Sequence, residues 1–223
     1  MNTERERRYD AVIFDLDGTL LDTLDDLTNS ANAVMEMHGM MQYTRDQIRT
    51  FVGNGIRRLI QRIVPGGEEN SEFEQVYQDF RTYYNDHCME ETEPYPGIIA
   101  LLDWLKKEGY RTAIVSNKAD FAVKKLRDIY FGELVPVAIG EREGCRRKPA
   151  PDSVFQALEE LGVPGERAVY VGDSDVDLMT ADNSDMDSIP VSWGFRSREF
   201  LIDHGAQPDR IAANVNELKS FLL

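Results

Sequence analysis

Two aspartates, Asp15 and Asp17, stand two residues apart at the end of the apolar run Tyr9-Asp10-Ala11-Val12-Ile13-Phe14. If the backbone stays extended past that run, both side chains share one face. Two carboxylates about 4 Å apart repel by roughly 4 kcal/mol at an effective dielectric of 20, and a third, Asp173, adds to the cost if the fold brings it near. Such a cluster calls for a cation. Oxygen donors with no His or Cys among them suit Mg²⁺, which retains waters and completes its octahedron with a substrate phosphate.

Other residues have the chemistry to meet that phosphate. Val115-Ser116-Asn117 reads as a strand end passing into a helix, where the Ser116 hydroxyl and the N–H groups of the helix start form an anion site. Lys148, in Arg147-Lys148-Pro149-Ala150-Pro151, sits in a loop stiffened by two prolines and can neutralise a phosphoryl group. The segment Val171-Gly172-Asp173-Ser174-Asp175-Val176-Asp177 again sets carboxylates directly after an apolar run. The remaining candidates have plainer readings. Asp25 and Asp26 are helix N-terminal charges, His38, His87 and His204 share no ligand spacing, and Trp104 and Trp193 are core or crevice-wall aromatics.

The elements that must position these residues follow from periodicity. Short runs rich in β-branched and aromatic residues at 9–14, 112–115, 135–139, 168–171 and 188–191 read as buried strands. Helical stretches separate them: Ile98, Leu101, Leu102 and Leu105 share one face, and Pro151 opens another helix whose Val154, Phe155, Leu158 and Leu161 face the sheet before Gly162 closes it. Alternation of this kind predicts an α/β fold with a doubly wound parallel sheet, whose ligands bind outside the carboxyl ends of the strands. Asp15, Ser116 and Asp173 all fall there.

Residues 22–91 contain no convincing strand and predict an inserted all-helical domain, leaving 1–21 and 92–223 as the core. Leu24, Leu27, Ala31 and Val34 mark its first helix, and Thr44-Arg45-Asp46-Gln47 and Ser71-Glu72-Phe73-Glu74 read as capping boxes opening two more. Pro65-Gly66-Gly67 is a turn, and Glu93-Pro94-Tyr95-Pro96-Gly97 a hinge back into the core. An insert leaving the sheet at its ligand-binding edge is placed to act as a lid.

Composition narrows the function classes. The chain has 223 residues, 42% hydrophobic and 29% charged, with no apolar stretch of membrane-spanning length. Its 25 basic and 40 acidic residues leave a formal charge of −15, which argues against nucleic-acid or anionic-membrane surfaces. The charged opening Met1-Asn2-Thr3-Glu4-Arg5-Glu6-Arg7-Arg8 lacks the apolar run of a secretory signal. Cys88 and Cys145 have no metal-site spacing and read as reduced thiols. These features predict a cytoplasmic protein, monomer or homodimer, whose partner is a small phosphorylated metabolite.

The order of the motifs resembles the haloacid dehalogenase superfamily of phosphatases over nearly the whole chain. Asp15-Leu16-Asp17-Gly18-Thr19-Leu20 with Asp22-Thr23 matches its first motif, Ser116-Asn117 the second, Lys148-Pro149 the third and Gly172-Asp173-Ser174-x-x-Asp177 the fourth. The resemblance implies that Asp15 attacks phosphorus while Asp17 protonates the leaving alkoxide and later activates water. It also implies that Asp15, the backbone carbonyl of Asp17, and Asp173 bind Mg²⁺. Ser116, Asn117 and Lys148 would hold the phosphoryl oxygens beside Gly18 and Thr19, and Asp177 would orient Lys148 or a metal-bound water. The helical insert, Phe51-Val52-Gly53-Asn54-Gly55-Ile56-Arg57-Arg58-Leu59 and Val191-Ser192-Trp193-Gly194-Phe195-Arg196 look like the phosphoglycolate phosphatase branch. On that resemblance Gly53 and Gly55 would bring backbone near the ligand, and Arg57 or Arg58 would meet its carboxylate. One departure is Ser184-Asp185, where relatives usually carry Ala-Gly. Asp tolerates a left-handed turn, so the helix end should survive.

Rival functions differ in single positions. A phosphosugar mutase shares all four motifs but usually carries a His in the first cap helix, near Leu27 here. Phosphonate cleavage uses a cap lysine, and no lysine precedes Lys106; dehalogenating relatives lack the aspartate at Asp17. Pyrophosphate or nucleotide hydrolysis uses the same machinery. A phospho-receiver module, from another class, has an Asp-phosphate and a Lys but typically no inserted cap, and a silent binding protein would not keep every reactive position filled.

Overall fold

The computed structural model describes residues 7–53 and 55–223. The opening segment read above as no secretory signal lies, through residue 6, outside the described residues. In chain order the elements are β1 (Ala11–Phe14), β2 (Leu21–Asp22), α1 (Leu24–Met37), α2 (Arg45–Phe51), α3 (Ile56–Ile63), α4 (Phe73–His87), β3 (Glu93–Pro94), α5 (Ile98–Lys107), β4 (Arg111–Ala119), α6 (Asp120–Tyr130), β5 (Val137–Glu141), α7 (Asp152–Leu161), β6 (Ala168–Gly172), α8 (Asp175–Asn183), β7 (Asp187–Pro190), α9 (Arg198–Asp203) and α10 (Val215–Leu222). They fall into two compact units, Met1–Leu20 with Pro96–Leu223, and Leu21–Tyr95.

In the larger unit five strands form a parallel sheet in the order β5-β4-β1-β6-β7. All four residues of β1 are apolar and fully buried, as a strand covered by helices on both faces requires. Its register sets Phe14 beside Ile114 of β4 and Val171 of β6. Asp15, directly after Phe14, and Ser116 and Asp173, two residues past Ile114 and Val171, therefore come to the carboxyl edge of the sheet together.

Helix α7 covers one face with Val154, Ala157, Leu158 and Leu161, which pack with Ile13, Val115 and Tyr170. Phe155, expected to face the sheet, is instead 51% exposed. Positions 154, 157, 158 and 161 form the i, i+3, i+4, i+7 stripe, which leaves 155 a third of a turn away. Gly162 ends the helix in the left-handed conformation. Asp185, at φ 51°, does the same for α8: its N–H donates to the Asp182 carbonyl and the Met186 N–H to that of Ala181. The expected helix end thus survives without glycine.

The smaller unit holds α1 to α4 and a short antiparallel ladder pairing Leu21 with Pro94 and Asp22 with Glu93. Thr44 makes the expected capping box with Gln47. The second expected box is absent: α4 begins at Phe73 without a side-chain cap, and Asn70 Oδ1 takes the Glu72 N–H at 2.9 Å. Among the described residues there are also four α-helices where three stretches were expected, because Gly53 and Gly55, at φ 108° and 82°, break α2 from α3. Among the described residues no helix is long and apolar enough to cross a membrane.

Asp26 does more than charge the first turn of α1. It is 2% exposed and accepts the Glu91 N–H at 2.9 Å, the Thr92 N–H at 3.0 Å and the Thr92 hydroxyl at 2.7 Å. The carboxylate thus ties the start of α1 to the returning strand. Hydrogen bonds to a charged acceptor contribute about 1.5–3 kcal/mol, and a buried donor left unpaired costs about as much. Asp26→Ala is therefore expected to lower the melting temperature by about 5–10 °C, as thermal unfolding followed by circular dichroism would read. A shift below about 1 °C would show the clamp to be dispensable.

Candidate active site

Asp15 leaves β1 with its N–H bonded to the Val171 carbonyl at 2.8 Å, so the sheet itself aims it. Lys148 Nζ lies 2.8 Å from Asp15 Oδ1 and 2.8 Å from Asp177 Oδ1, and donates to the Tyr170 hydroxyl at 3.0 Å. The lysine side chain is 3% exposed. Its loop is fastened to the end of β4 by a reciprocal pair: the Lys148 N–H donates to Asn117 Oδ1 at 2.8 Å, and Asn117 Nδ2 donates to the Lys148 carbonyl at 3.0 Å. Asn117 thus places the lysine.

Asp173 and Asp177 come from the end of β6 and the first turn of α8. Asp173 Oδ2 accepts the Phe195 N–H at 2.6 Å, and its Oδ1 meets the Thr19 hydroxyl at 3.4 Å. Asp177 Oδ2 accepts the Ser174 hydroxyl at 2.6 Å and N–H at 3.1 Å, which leaves Oδ1 for Lys148. Gly18, at φ 87°, passes so close that a Cβ there would lie 2.5 Å from Asp173 Oδ2, so only glycine lets this loop close on the carboxylate. Trp193 Nε1 donates to the Thr19 carbonyl at 3.0 Å and holds the loop from the other side.

Asp15, Asp173 and Asp177 each offer a carboxylate oxygen within 4.8 Å of the others. Burial, then the Asp177 charge, push the Asp15 carboxyl up to about 7 against the pull of Lys148. Burial, then Asp177 and Asp15, also raise Asp173 well above the usual carboxylate range. Burial works against the charge on Lys148, but the Asp15 and Asp177 carboxylates outweigh it and hold the group protonated. One ammonium among three buried carboxylates leaves an excess of negative charge in low dielectric. An all-oxygen donor set of this charge fits a hard divalent cation.

The structure differs from the sequence reading at two places. The segment after Val115 does not enter a helix at once. β4 continues to Ala119 through a register irregularity, α6 starts only at Asp120, and the Ser116 hydroxyl accepts the Lys118 N–H at 3.2 Å. The carboxylate of Asp17 stands outside the trio and is paired with Lys118 Nζ at 2.9 Å. Gly53 and Arg57 lie in the smaller unit, as the reading of an inserted domain expected, and there the Arg57 guanidinium bonds Glu68 and Glu74 and lies over the Phe73 ring.

Two contributors were not singled out in the sequence. Tyr170 reads there as one more apolar residue of β6, yet its hydroxyl lies in contact with Lys148 and Asp177. Lys118 follows Ser116-Asn117 directly, and its 8% exposure is unusual for a lysine. No sequence signal distinguished it from a surface charge.

The geometry agrees with comparisons to known proteins. The family model described as haloacid dehalogenase-like hydrolase matches residues 12–191. A phosphoglycolate phosphatase of Nitrosococcus oceani is 30% identical, the alignment covering 97% of each chain. An N-acetylmuramic acid 6-phosphate phosphatase of Pseudomonas aeruginosa is 29% identical over 86% of this chain and 85% of its own. Among solved structures, a protein of Lactobacillus delbrueckii subsp. bulgaricus provisionally named a phosphoglycolate phosphatase superposes with a TM-score of 0.93 at 38% identity, covering 97% of this chain and 99% of its own. With a matched model over most of its length and relatives of that kind, the chain belongs to the haloacid dehalogenase-like hydrolases, in their phosphoglycolate-phosphatase-like branch.

Proposed function

We propose that the protein is a Mg²⁺-dependent phosphatase that hydrolyses a small phosphate monoester, with phosphoglycolate the leading candidate, through an aspartyl-phosphate on Asp15. The observation that carries this reading is the Asp15 carboxylate, aimed by the central strand, 2.8 Å from the buried Lys148 ammonium and clustered with Asp173 and Asp177.

In the first step an Asp15 oxygen bonds to phosphorus as the bond to the leaving oxygen breaks, and Asp17 donates the proton that oxygen needs. In the second step Asp17 takes a proton from water, the water oxygen bonds to phosphorus, and the Asp15–phosphorus bond breaks to release inorganic phosphate. Lys148, Asn117 and Ser116 would meet the phosphoryl oxygens, beside the Gly18-Thr19 turn. Mg²⁺ held by Asp15, Asp173 and the Asp17 carbonyl, with Asp177 in reach, would supply charge neutralisation at the phosphoryl group. Phosphoglycolate and N-acetylmuramic acid 6-phosphate, the substrates named for two relatives, are both carboxylic acids bearing a phosphate ester, which favours an acidic monoester. Arg57 is a weaker candidate for the carboxylate than its charge suggests, since Glu68 and Glu74 already engage it. A reducing, cytoplasmic setting accords with Cys88 and Cys145 not being joined in a disulfide.

Phosphate release should be measured over phosphoglycolate, sugar phosphates, nucleotides and pyrophosphate, with Mg²⁺ and with EDTA. One small monoester should dominate, EDTA should abolish turnover, and Asp15→Asn should lower kcat by about 10⁴-fold or more. Release from pyrophosphate or nucleotides alone would replace the substrate, and release from none would revive the mutase reading.

The same carboxylate is expected to cost stability. Its pKa in the fold, about 7, exceeds the usual carboxylate value, so the penalty on its charged form grows as pH rises from about 4 and is complete above about 7. At pH 8 in EDTA, Asp15→Asn should therefore melt about 2–4 °C above wild type, the shift that roughly 1 kcal/mol gives a chain of this size. Melting below wild type would mean that the Lys148 pair outweighs the repulsion. Mg²⁺ at millimolar concentration should raise the wild-type melting temperature by a similar amount. Asp173→Asn should lose most of that gain, and an equal gain in the variant would place the cation elsewhere.

A further inference from the structure

Asp17 stands apart from the three clustered carboxylates, and what meets it is Lys118, whose Nζ lies 2.9 Å from Asp17 Oδ1. The lysine side chain is 5% exposed and the aspartate side chain 21%. The backbone that presents the amine is constrained on both sides. The Lys118 N–H is held by the Ser116 hydroxyl, and its carbonyl lies against Gly140, where a Cβ would come within 2.6 Å of it. Gly140 in turn donates its N–H to Asp120 Oδ1 at 2.9 Å, closing the irregular end of β4 onto β5. A buried ammonium so fixed needs a carboxylate at a defined place.

We propose that Lys118 is a positioning residue for Asp17: it fixes the rotamer of this carboxyl, keeping it off the Asp15–Asp173–Asp177 cluster and in line to exchange a proton with the leaving oxygen. The inference rests on the reading of Asp17 as proton donor and names a group which that reading lacks. Two lysines then divide the work. Lys148 serves the carboxylate that bonds to phosphorus, and Lys118 the one that handles the proton.

Such a residue has a signature that a merely structural one lacks. An alkyl ester such as phosphoglycolate needs its leaving oxygen protonated, whereas the p-nitrophenolate of p-nitrophenyl phosphate departs without a proton. The experiment compares kcat/KM, which reports leaving-group departure and not the later hydrolysis of the shared aspartyl-phosphate, on both esters, with Mg²⁺, for wild type, Lys118→Met, Lys118→Arg, Asp17→Asn and the Asp17→Asn/Lys118→Met double variant. Lys118→Met is expected to lower kcat/KM on phosphoglycolate by about 10–100-fold, part of the 10²–10⁴-fold that general acid catalysis supplies, and on the aryl ester by less than about 3-fold. Lys118→Arg should recover part of the loss. The double variant should fall no further than Asp17→Asn alone, because the lysine acts through that carboxyl. Equal losses on both esters, or multiplying losses in the double variant, would overturn the proposal. If Asp17→Asn discriminates between the esters and Lys118→Met does not, the positioning role fails alone; if Asp17→Asn does not discriminate, the proton-donor reading fails and the proposal with it. Should Lys118→Met not fold, Lys118→Gln carries the same comparison.

Discussion

Three carboxylates within reach of one another, sealed at the end of a fully buried strand and faced by one lysine, form an arrangement that no folding argument would choose. Each must be held against repulsion and against the loss of water, and the neighbouring structure supplies the means. Asp15 is anchored through its backbone to β6, Asp173 by the Phe195 N–H, and Asp177 by Ser174. Asn117 fastens the lysine loop. Gly18 and Gly194 lack side chains where a Cβ would collide with Asp173. The loops at this sheet edge can be read as the apparatus that keeps excess negative charge in place, in wait for a cation and a phosphoryl group.

The parallel sheet makes that economy possible. Three neighbouring strands in register bring Asp15, Ser116 and Asp173 to one edge, so two carboxylates and a hydroxyl arrive together without any loop having to reach for them. The apolar residues behind them are fully buried, so the strand ends are rigid. Electrostatic preorganisation of this kind needs groups that do not move when charge develops.

Legibility in the sequence followed the range of each interaction. The strands, the α7 stripe ending at Gly162 and the Thr44 box are local patterns with period or spacing, and they were readable. Asp26 was not, because its partners at Glu91 and Thr92 lie 65 and 66 residues away. Tyr170 was hidden for a different reason: in a run of buried apolar residues nothing marks the one whose hydroxyl is used. The helix start expected at Ser116 failed because β4 continues past an irregularity that Gly140 accommodates, a tertiary contact without a local signature. The same irregularity turns Lys118 inward. A residue that nothing in the sequence marked out thus became the partner of Asp17.

Asp15 and Asp17 are two positions apart and chemically identical, yet the fold separates their surroundings. Asp15 is buried among like charges with Lys148, which penalises its charged form until a cation or phosphoryl group arrives. Asp17 is partly open to water and faces a different lysine. A nucleophile benefits from poor solvation, since bond formation relieves it. A proton carrier must instead exchange with both leaving group and water. Placing one carboxyl inside the cluster and holding the other outside it by a second ammonium lets one short loop provide both behaviours, and the glycine that follows Asp17, in a conformation other residues resist, turns the chain directly beyond the pair.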